Sequence, residues 1–216
     1  MNIIYNDEIY KPDGVLFDVD GTIWDSTGVV TEAWNKALKD TGFGHVQVNA
    51  DRLKGLFGLP MIDIMRDILP GVDEKELRRF EEVCNEYEEN YIINHSGAPY
   101  EDIVYTIKEL SARVPVIIVS NCQAGYIELM MKHLQIEDYI TDHVCPGDSG
   151  LLKADNIMMM SRKHNLAGPV YVGDTSMDEE ACKKANVPII YAAYGFGKVL
   201  QPAASILKPT ELLELI

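Results

Sequence analysis

Four short stretches hold residue types suited to nucleophilic, acid–base or metal-binding chemistry: Asp18-Val19-Asp20-Gly21-Thr22, Ser120-Asn121, Lys153 and Gly173-Asp174-Thr175-Ser176-Met177-Asp178. An aspartate can act as nucleophile, general base or metal ligand. Taken singly, each of these aspartates also reads as a turn residue or a helix N-cap. Their joint occurrence, in this order, points to a site. Carboxylates packed together repel one another and raise each other's pKa unless a cation compensates. An all-oxygen donor set with no His or Cys nearby favours a hard ion, Mg²⁺ above all.

Convergence of these stretches requires particular elements. Pro12-Asp13-Gly14 marks a turn, and Val15-Leu16-Phe17 is a β-prone run that delivers Asp18 at its C-terminal end. From about Ser26 to His95 the pattern is helical: Val30, Ala33, Trp34, Ala37 and Leu38 recur at helical spacing. Ile62, Met65, Ile68 and Leu69 then share a face, and a Glu-rich segment carries Leu77, Phe80, Val83, Cys84 and Tyr87. After Pro99, helices alternate with apolar strands at Val116–Val119, Tyr139-Ile140, Val170–Val172 and Ile189–Ala192. Such alternation predicts a parallel sheet covered on both faces, with ligands bound beyond the carboxyl ends of its strands. The fold class is therefore α/β: a Rossmann-like parallel sheet core formed by 1–25 and 96–216, with an inserted all-helical cap at 26–95. The first ten residues are expected to add an edge strand or hairpin.

Length and composition narrow the function classes. The 216 residues carry 19 Lys and Arg against 34 Asp and Glu, a formal charge of −15 that opposes nucleic-acid binding. Arg78-Arg79 is no basic patch, since Glu74, Glu76, Glu81 and Glu82 surround it. The same charge repels small anions, so a phosphate site here needs a local cation. Apolar runs such as Val116–Val119 fall far short of the roughly 20 residues of a membrane span. Met1 to Glu8 lacks the basic and apolar regions of a signal peptide. Cys84, Cys122, Cys145 and Cys182 form no CxxC pair and read as free thiols. A cytoplasmic protein is expected.

The motif set resembles the haloacid dehalogenase superfamily of phosphohydrolases. The helical block inserted after the first motif is similar to the cap of its phosphoglycolate phosphatase and β-phosphoglucomutase branch. The resemblance implies that Asp18 is the nucleophile that becomes an aspartyl phosphate, and that Asp20 is the acid and base of its formation and hydrolysis. It further implies Mg²⁺ held by Asp18, the Asp20 backbone carbonyl and Asp174, with Asp178 in support. Ser120 and Lys153 would hold phosphoryl oxygens, supplying the local cation, while Thr22, Asn121, Gly55 and Gly58 would bind substrate. The implied activity is that of a phosphatase of a small phosphorylated metabolite, such as phosphoglycolate or a sugar or nucleotide phosphate. A sugar-phosphate mutase and a non-catalytic binder of phosphorylated ligands are the alternatives. Lys153 is followed by Ala154-Asp155, not by the Pro-containing continuation common in this branch. A 2-haloacid dehalogenase is disfavoured, because Asp20 is present.

Other residues draw plainer expectations. Arg52, Lys54, Gly55 and Gly58 fall where the resemblance places a specificity loop, though an ordinary interhelix loop suits them equally. Tyr191 to Gly197 reads as a strand-to-helix turn or as the Gly-rich stretch of the same branch. Trp24 is expected to pack under the cap, and Met158-Met159-Met160 to pack on a helix. Cys122 sits two residues past Ser120 and, if accessible, would couple activity to oxidation. His45, His95, His133, His143 and His164 show no metal spacing, and are expected as surface or capping residues. The acidic run from Glu81-Glu82 to Glu88-Glu89 reads as a solvated helix face.

Overall fold

A computed structural model describes residues 3–6, 8–94 and 97–216. It opens with an antiparallel hairpin, β1 (Ile3–Tyr5) and β2 (Glu8–Tyr10). Strand β3 (Gly14–Phe17) enters the main sheet and β4 (Trp24–Asp25) leaves it. Four helices follow: α1 (Thr27–Asp40), α2 (Ala50–Lys54), α3 (Met61–Ile68) and α4 (Glu74–Asn94). The chain returns through β5 (Ala98–Pro99), then α5 (Ile103–Ser111), β6 (Val116–Val119) and α6 (Tyr126–Leu134). It continues with β7 (Asp142–Val144), α7 (Pro146–Ser149), α8 (Lys153–Lys163) and β8 (Pro169–Gly173). It ends with α9 (Ser176–Ala185), β9 (Ile189–Ala192), β10 (Ala204–Ile206) and a 3₁₀ turn at Pro209–Glu214.

The six-stranded sheet has the order β10-β9-β8-β3-β6-β7, and every pairing is parallel. Alternation along the strands explains its two cores. Val15, Phe17, Val116, Ile118, Val170 and Val172 face α5, α6 and the C-terminal turn. Leu16, Ile117, Val119 and Tyr171 face α8 and α9. Side chains of successive strand residues point to opposite faces, so apolar runs like these fit a sheet covered on both sides. From β3 the chain crosses to β6 on one side, and it later returns to β8 on the other. The switch of direction beside β3 opens a crevice at the carboxyl ends, where Asp18 N–H donates to Val172 O at 2.9 Å.

The helices from Thr27 to Asn94 have their own core. Val30, Ala33, Trp34, Ala37, Leu38, Leu53, Met65, Ile68, Phe80 and Cys84 are buried in it. Two chain segments join this block to the sheet domain, and they pair as the antiparallel strands β4 and β5. That pairing escapes sequence pattern because each strand is two residues long. Two further details differ from expectation. The strand placed at Tyr139-Ile140 starts instead at Asp142, since Glu137–Tyr139 form a 3₁₀ turn and an edge strand tolerates polar residues such as Asp142 and His143. The short edge strand β10 carries no sequence signal. Among the described residues no helix is long and apolar enough to cross a membrane. All four cysteines are free thiols.

The link to the cap is tightly packed. Trp24 is fully buried against Tyr126, with ring centroids 6.0 Å apart. A Cβ at Gly97 would lie 2.7 Å from its ring, so no side chain fits there. Gly97→Ala is expected to cost about 1–3 kcal/mol in urea unfolding by overpacking. Gly28→Ala, whose Cβ meets nothing within 4 Å, is the control expected to leave stability equal or higher.

Candidate active site

The carboxyl ends of β3, β6 and β8 bring the four sequence stretches together. Asp18 follows β3, Ser120 and Asn121 follow β6, and Asp174 follows β8. Lys153 opens α8, and Asp178 lies in the first turn of α9. Asp18, Ser120, Lys153, Asp174 and Asp178 are all buried. Lys153 Nζ donates to Asp18 Oδ1 at 2.9 Å and to Asp178 Oδ1 at 2.7 Å. Asp178 Oδ2 accepts from the Thr175 backbone N–H at 3.0 Å and from its hydroxyl at 2.7 Å. Thr175 and Asp178 thus form the capping box of α9, fixing Asp178 before any ligand binds.

Asp174 is held from the other side. Its Oδ2 accepts from the Phe196 N–H at 2.7 Å and the Gly197 N–H at 3.2 Å, and its Oδ1 accepts from the Thr22 hydroxyl at 3.3 Å. The Gly-rich stretch after β9 therefore clamps an aspartate. Gly21, at φ 86°, lets the turn after Asp20 approach it: a Cβ there would sit 2.3 Å from Asp174 Oδ2. Asp18, Asp174 and Asp178 each place a carboxylate oxygen within 4.8 Å of the others. This buried all-oxygen set fits a hard divalent cation, and Asp18, which accepts one hydrogen bond against three each at Asp174 and Asp178, keeps the most free lone pairs to offer it.

Asp20 is separate from that cluster. Its Oδ1 accepts from the Ser26 hydroxyl at 2.5 Å and from the Tyr126 hydroxyl at 2.7 Å. Of the metal set expected from sequence, Asp20 thus joins by side chain with none of the others; only its backbone carbonyl is left for that part. Thr22 is likewise redirected, because its fully buried hydroxyl serves Asp174 and not a substrate. Gly58 lines the cavity over Asp18, and its carbonyl accepts from Asn121 Nδ2 at 2.8 Å, which ties cap to core. Gly55 does not reach the cavity; it ends α2 with φ −76°. Arg52 pairs with Asp67, and Lys54 with Asp25, so neither basic residue faces Asp18.

Three polar residues that the sequence did not place at the site also line the cavity: Glu88, Gln123 and Tyr126. Glu88 corrects the reading of the acidic run as a solvated face. It is buried, its Oε2 accepting from Trp34 Nε1 at 2.9 Å and its Oε1 from Gln123 Nε2 at 3.2 Å. A signal was present, since Leu77, Phe80, Cys84, position 88 and Ile92 form one helical stripe. Cys122 lines the cavity too, but burial and the Cys145 thiol push its own thiol well above the ordinary value, the opposite of a reactive thiolate. His45 and His133 are exposed, and His143 and His164 are half-buried. None of these four lines the cavity, and His95 lies outside the described residues. Trp24 packs on Tyr126 away from the cavity, and Met160 is a core residue of α8.

Burial dominates the electrostatics. It raises Asp18 to about 7 despite the opposing Lys153 ammonium. Burial, then Asp178 and Asp18, raise Asp174 to about 8. Asp20 is raised by burial too, in part offset by the Ser26 and Tyr126 hydroxyls. Burial alone would lower Lys153, but Asp178 and Asp18 outweigh it and hold the ammonium above the ordinary lysine value.

A model of the haloacid dehalogenase-like hydrolases matches residues 15–192, which span the cap, the sheet strands from β3 to β9, and Asp18, Asp20, Ser120, Lys153, Asp174 and Asp178 of the site. The chain belongs to this family. It is 26% identical over 211 residues to a phosphoglycolate phosphatase of Aquifex aeolicus, covering 94% of this chain and 95% of the relative. It is 24% identical to a phosphoglycolate phosphatase of Photobacterium profundum, covering 84% and 83%. A haloacid dehalogenase-like hydrolase from Streptococcus pneumoniae superposes with a TM-score of 0.81 at 22% identity, over 94% of this chain and 97% of its own.

The raised carboxylates set the stability of the metal-free family member. The folded state keeps protons on Asp18 and Asp174 that the unfolded chain, at about 3.8, has released. Their contribution is complete below the unfolded value and is lost as pH rises toward about 8. In EDTA the melting temperature should therefore fall between about pH 5 and 8. The gain from added Mg²⁺ should widen over the same range, because deprotonated ligands bind it. A magnesium shift constant with pH in differential scanning calorimetry would refute this.

Proposed function

We propose that this hydrolase is a Mg²⁺-dependent phosphatase that cleaves a small phosphomonoester through an aspartyl phosphate. The observation that carries the reading is the division of labour between two aspartates two residues apart. Burial raises both carboxyls, but Asp18 is paired through Oδ1 with the Lys153 ammonium, which favours its ionised form and leaves Oδ2 free to attack, whereas Asp20 is turned toward the neutral Ser26 and Tyr126 hydroxyls. A nucleophile must be ionised, and a general acid must hold its proton.

In the first step an Asp18 oxygen forms a bond to phosphorus as the bond to the leaving oxygen breaks. The Asp20 carboxyl donates its proton to that oxygen. In the second step Asp20, now a carboxylate, takes a proton from water as the water attacks phosphorus; phosphate leaves and Asp18 is restored. Ser120 borders the same cavity and is suited to hold a phosphoryl oxygen, and Lys153 offsets negative charge beneath it. Asp18 and Asp174, backed by Asp178, would hold Mg²⁺, which when bound offsets the charge of carboxylate and phosphoryl oxygens so that they can meet. The cap closes the cavity to ≈ 40 Å³, which excludes macromolecular esters and makes opening part of the cycle. The relatives' activity supports phosphoglycolate as one candidate beside sugar and nucleotide phosphates. Free thiols suit the reducing cytoplasm.

Phosphate release from p-nitrophenyl phosphate and a set of small monoesters should require Mg²⁺ and disappear in EDTA. Asp18→Asn should lower kcat by about a thousandfold or more, since it removes the nucleophile. Release unaffected by either change would refute the mechanism. An isomerised sugar phosphate formed in excess of free phosphate would favour a mutase.

A further inference from the structure

The leaving group must lie where the proton donor is. Asp20 lines the small cavity between cap and core and not the wider cleft of ≈ 800 Å³ that runs between α3, α4, α8 and α9. With phosphorus at Asp18, the alcohol therefore points toward Trp34, Gln123 and Glu88. Among the described residues, no Lys, Arg or His lines that cavity. Lys153 is held between Asp18 and Asp178 instead, while Arg78 and Lys184 border the wider cleft.

Among the described residues, Glu88 is the only charge-bearing one that the cap contributes to this cavity. Two neutral donors use half of its roughly four acceptor positions, one on each oxygen, so acceptor capacity is left for a ligand. We infer, on the basis of the phosphatase reading above, that Glu88 determines specificity: it selects an uncharged, hydroxyl-bearing leaving group and rejects one that carries a carboxylate. A substrate hydroxyl donates to Glu88 at no cost in charge. A substrate carboxylate meets Glu88 on a side of the site that no Lys, Arg or His lines among the described residues, and fits only by like-charge contact or by sharing a proton. On this geometry phosphoglycolate, the ester in the relatives' names, is disfavoured for this chain.

The test compares 2-hydroxyethyl phosphate with phosphoglycolate, two esters of the same length that end in hydroxyl or carboxylate. The wild type should favour the hydroxyl ester at least about tenfold in kcat/KM, mostly through KM. Glu88→Gln should shrink that ratio about tenfold or more, improving phosphoglycolate in absolute terms. A purely structural latch between α4 and Gln123 predicts otherwise, as both esters would then lose equally in Glu88→Gln and Glu88→Ala. That result overturns the inference. So does a wild-type preference for phosphoglycolate, in particular one abolished by Arg78→Ala, which would place the leaving group in the wider cleft. Titration calorimetry of both esters with Asp18→Asn reads the same preference without turnover. If no ester is hydrolysed but the hydroxyl ester still binds more tightly, the phosphatase reading fails and the assignment of Glu88 stands; equal binding of the two esters sinks the assignment.

Discussion

Three carboxylates and one ammonium are removed from water at the end of a parallel sheet, and much of the surrounding structure is arranged to make that tolerable. Lys153 bridges Asp18 and Asp178 in a region where neither acid nor base is exposed. Burying such charges is costly unless each is paired and hydrogen-bonded. One cation cannot compensate three acids. The remainder is met by the capping box of α9 on Asp178 and by two backbone amides with Thr22 on Asp174. The raised Asp18 and Asp174 carboxyls record what these contacts leave unmet, burial first and mutual repulsion after it, and a divalent cation would offset both.

The sheet makes this concentration possible. Parallel strands deliver their C-terminal residues to one edge, and the change of chain direction beside β3 leaves room there that no crossover fills. Gly21 completes the approach, since any side chain at that position would strike Asp174. The cap then adds what the sheet cannot, a roof over Asp18 and a wall beside Asp20. Gly58 and Glu88 come from the cap, and each is hydrogen-bonded to the loop after β6 through Asn121 and Gln123. The same contacts that close the site therefore also shape its leaving-group side.

How much of this was legible varies with the kind of order involved. The buried strands at Val116, Val170 and Ile189 were readable because their apolar runs are long for their surroundings. β4, β5 and β10 were not, since two or three residues pair only when a distant partner is already in place. Asp18 and Asp174 were legible from residue type and position after strands, and Lys153 and Asp178 from their order in the same set of motifs. The fate of Thr22 and Gly55 was not, because a hydroxyl or a glycine acquires its role from neighbours far away in the chain. Glu88 lay in an acidic run that composition assigns to solvent, although its place in the apolar stripe of α4 marked it as buried.

The sequence by itself determined the class of fold, the order of the elements and the chemical identity of the reactive groups. These follow from local periodicity and from residue types, which need no knowledge of distance. Tertiary structure decided which carboxylate faces a cation and which faces hydroxyls, which glycine approaches a side chain, and which acid of a charged helix turns inward. Those outcomes depend on burial and on contacts such as the one between Trp34 and Glu88, 54 residues apart. Desolvation acts on a group only once the whole chain has closed around it.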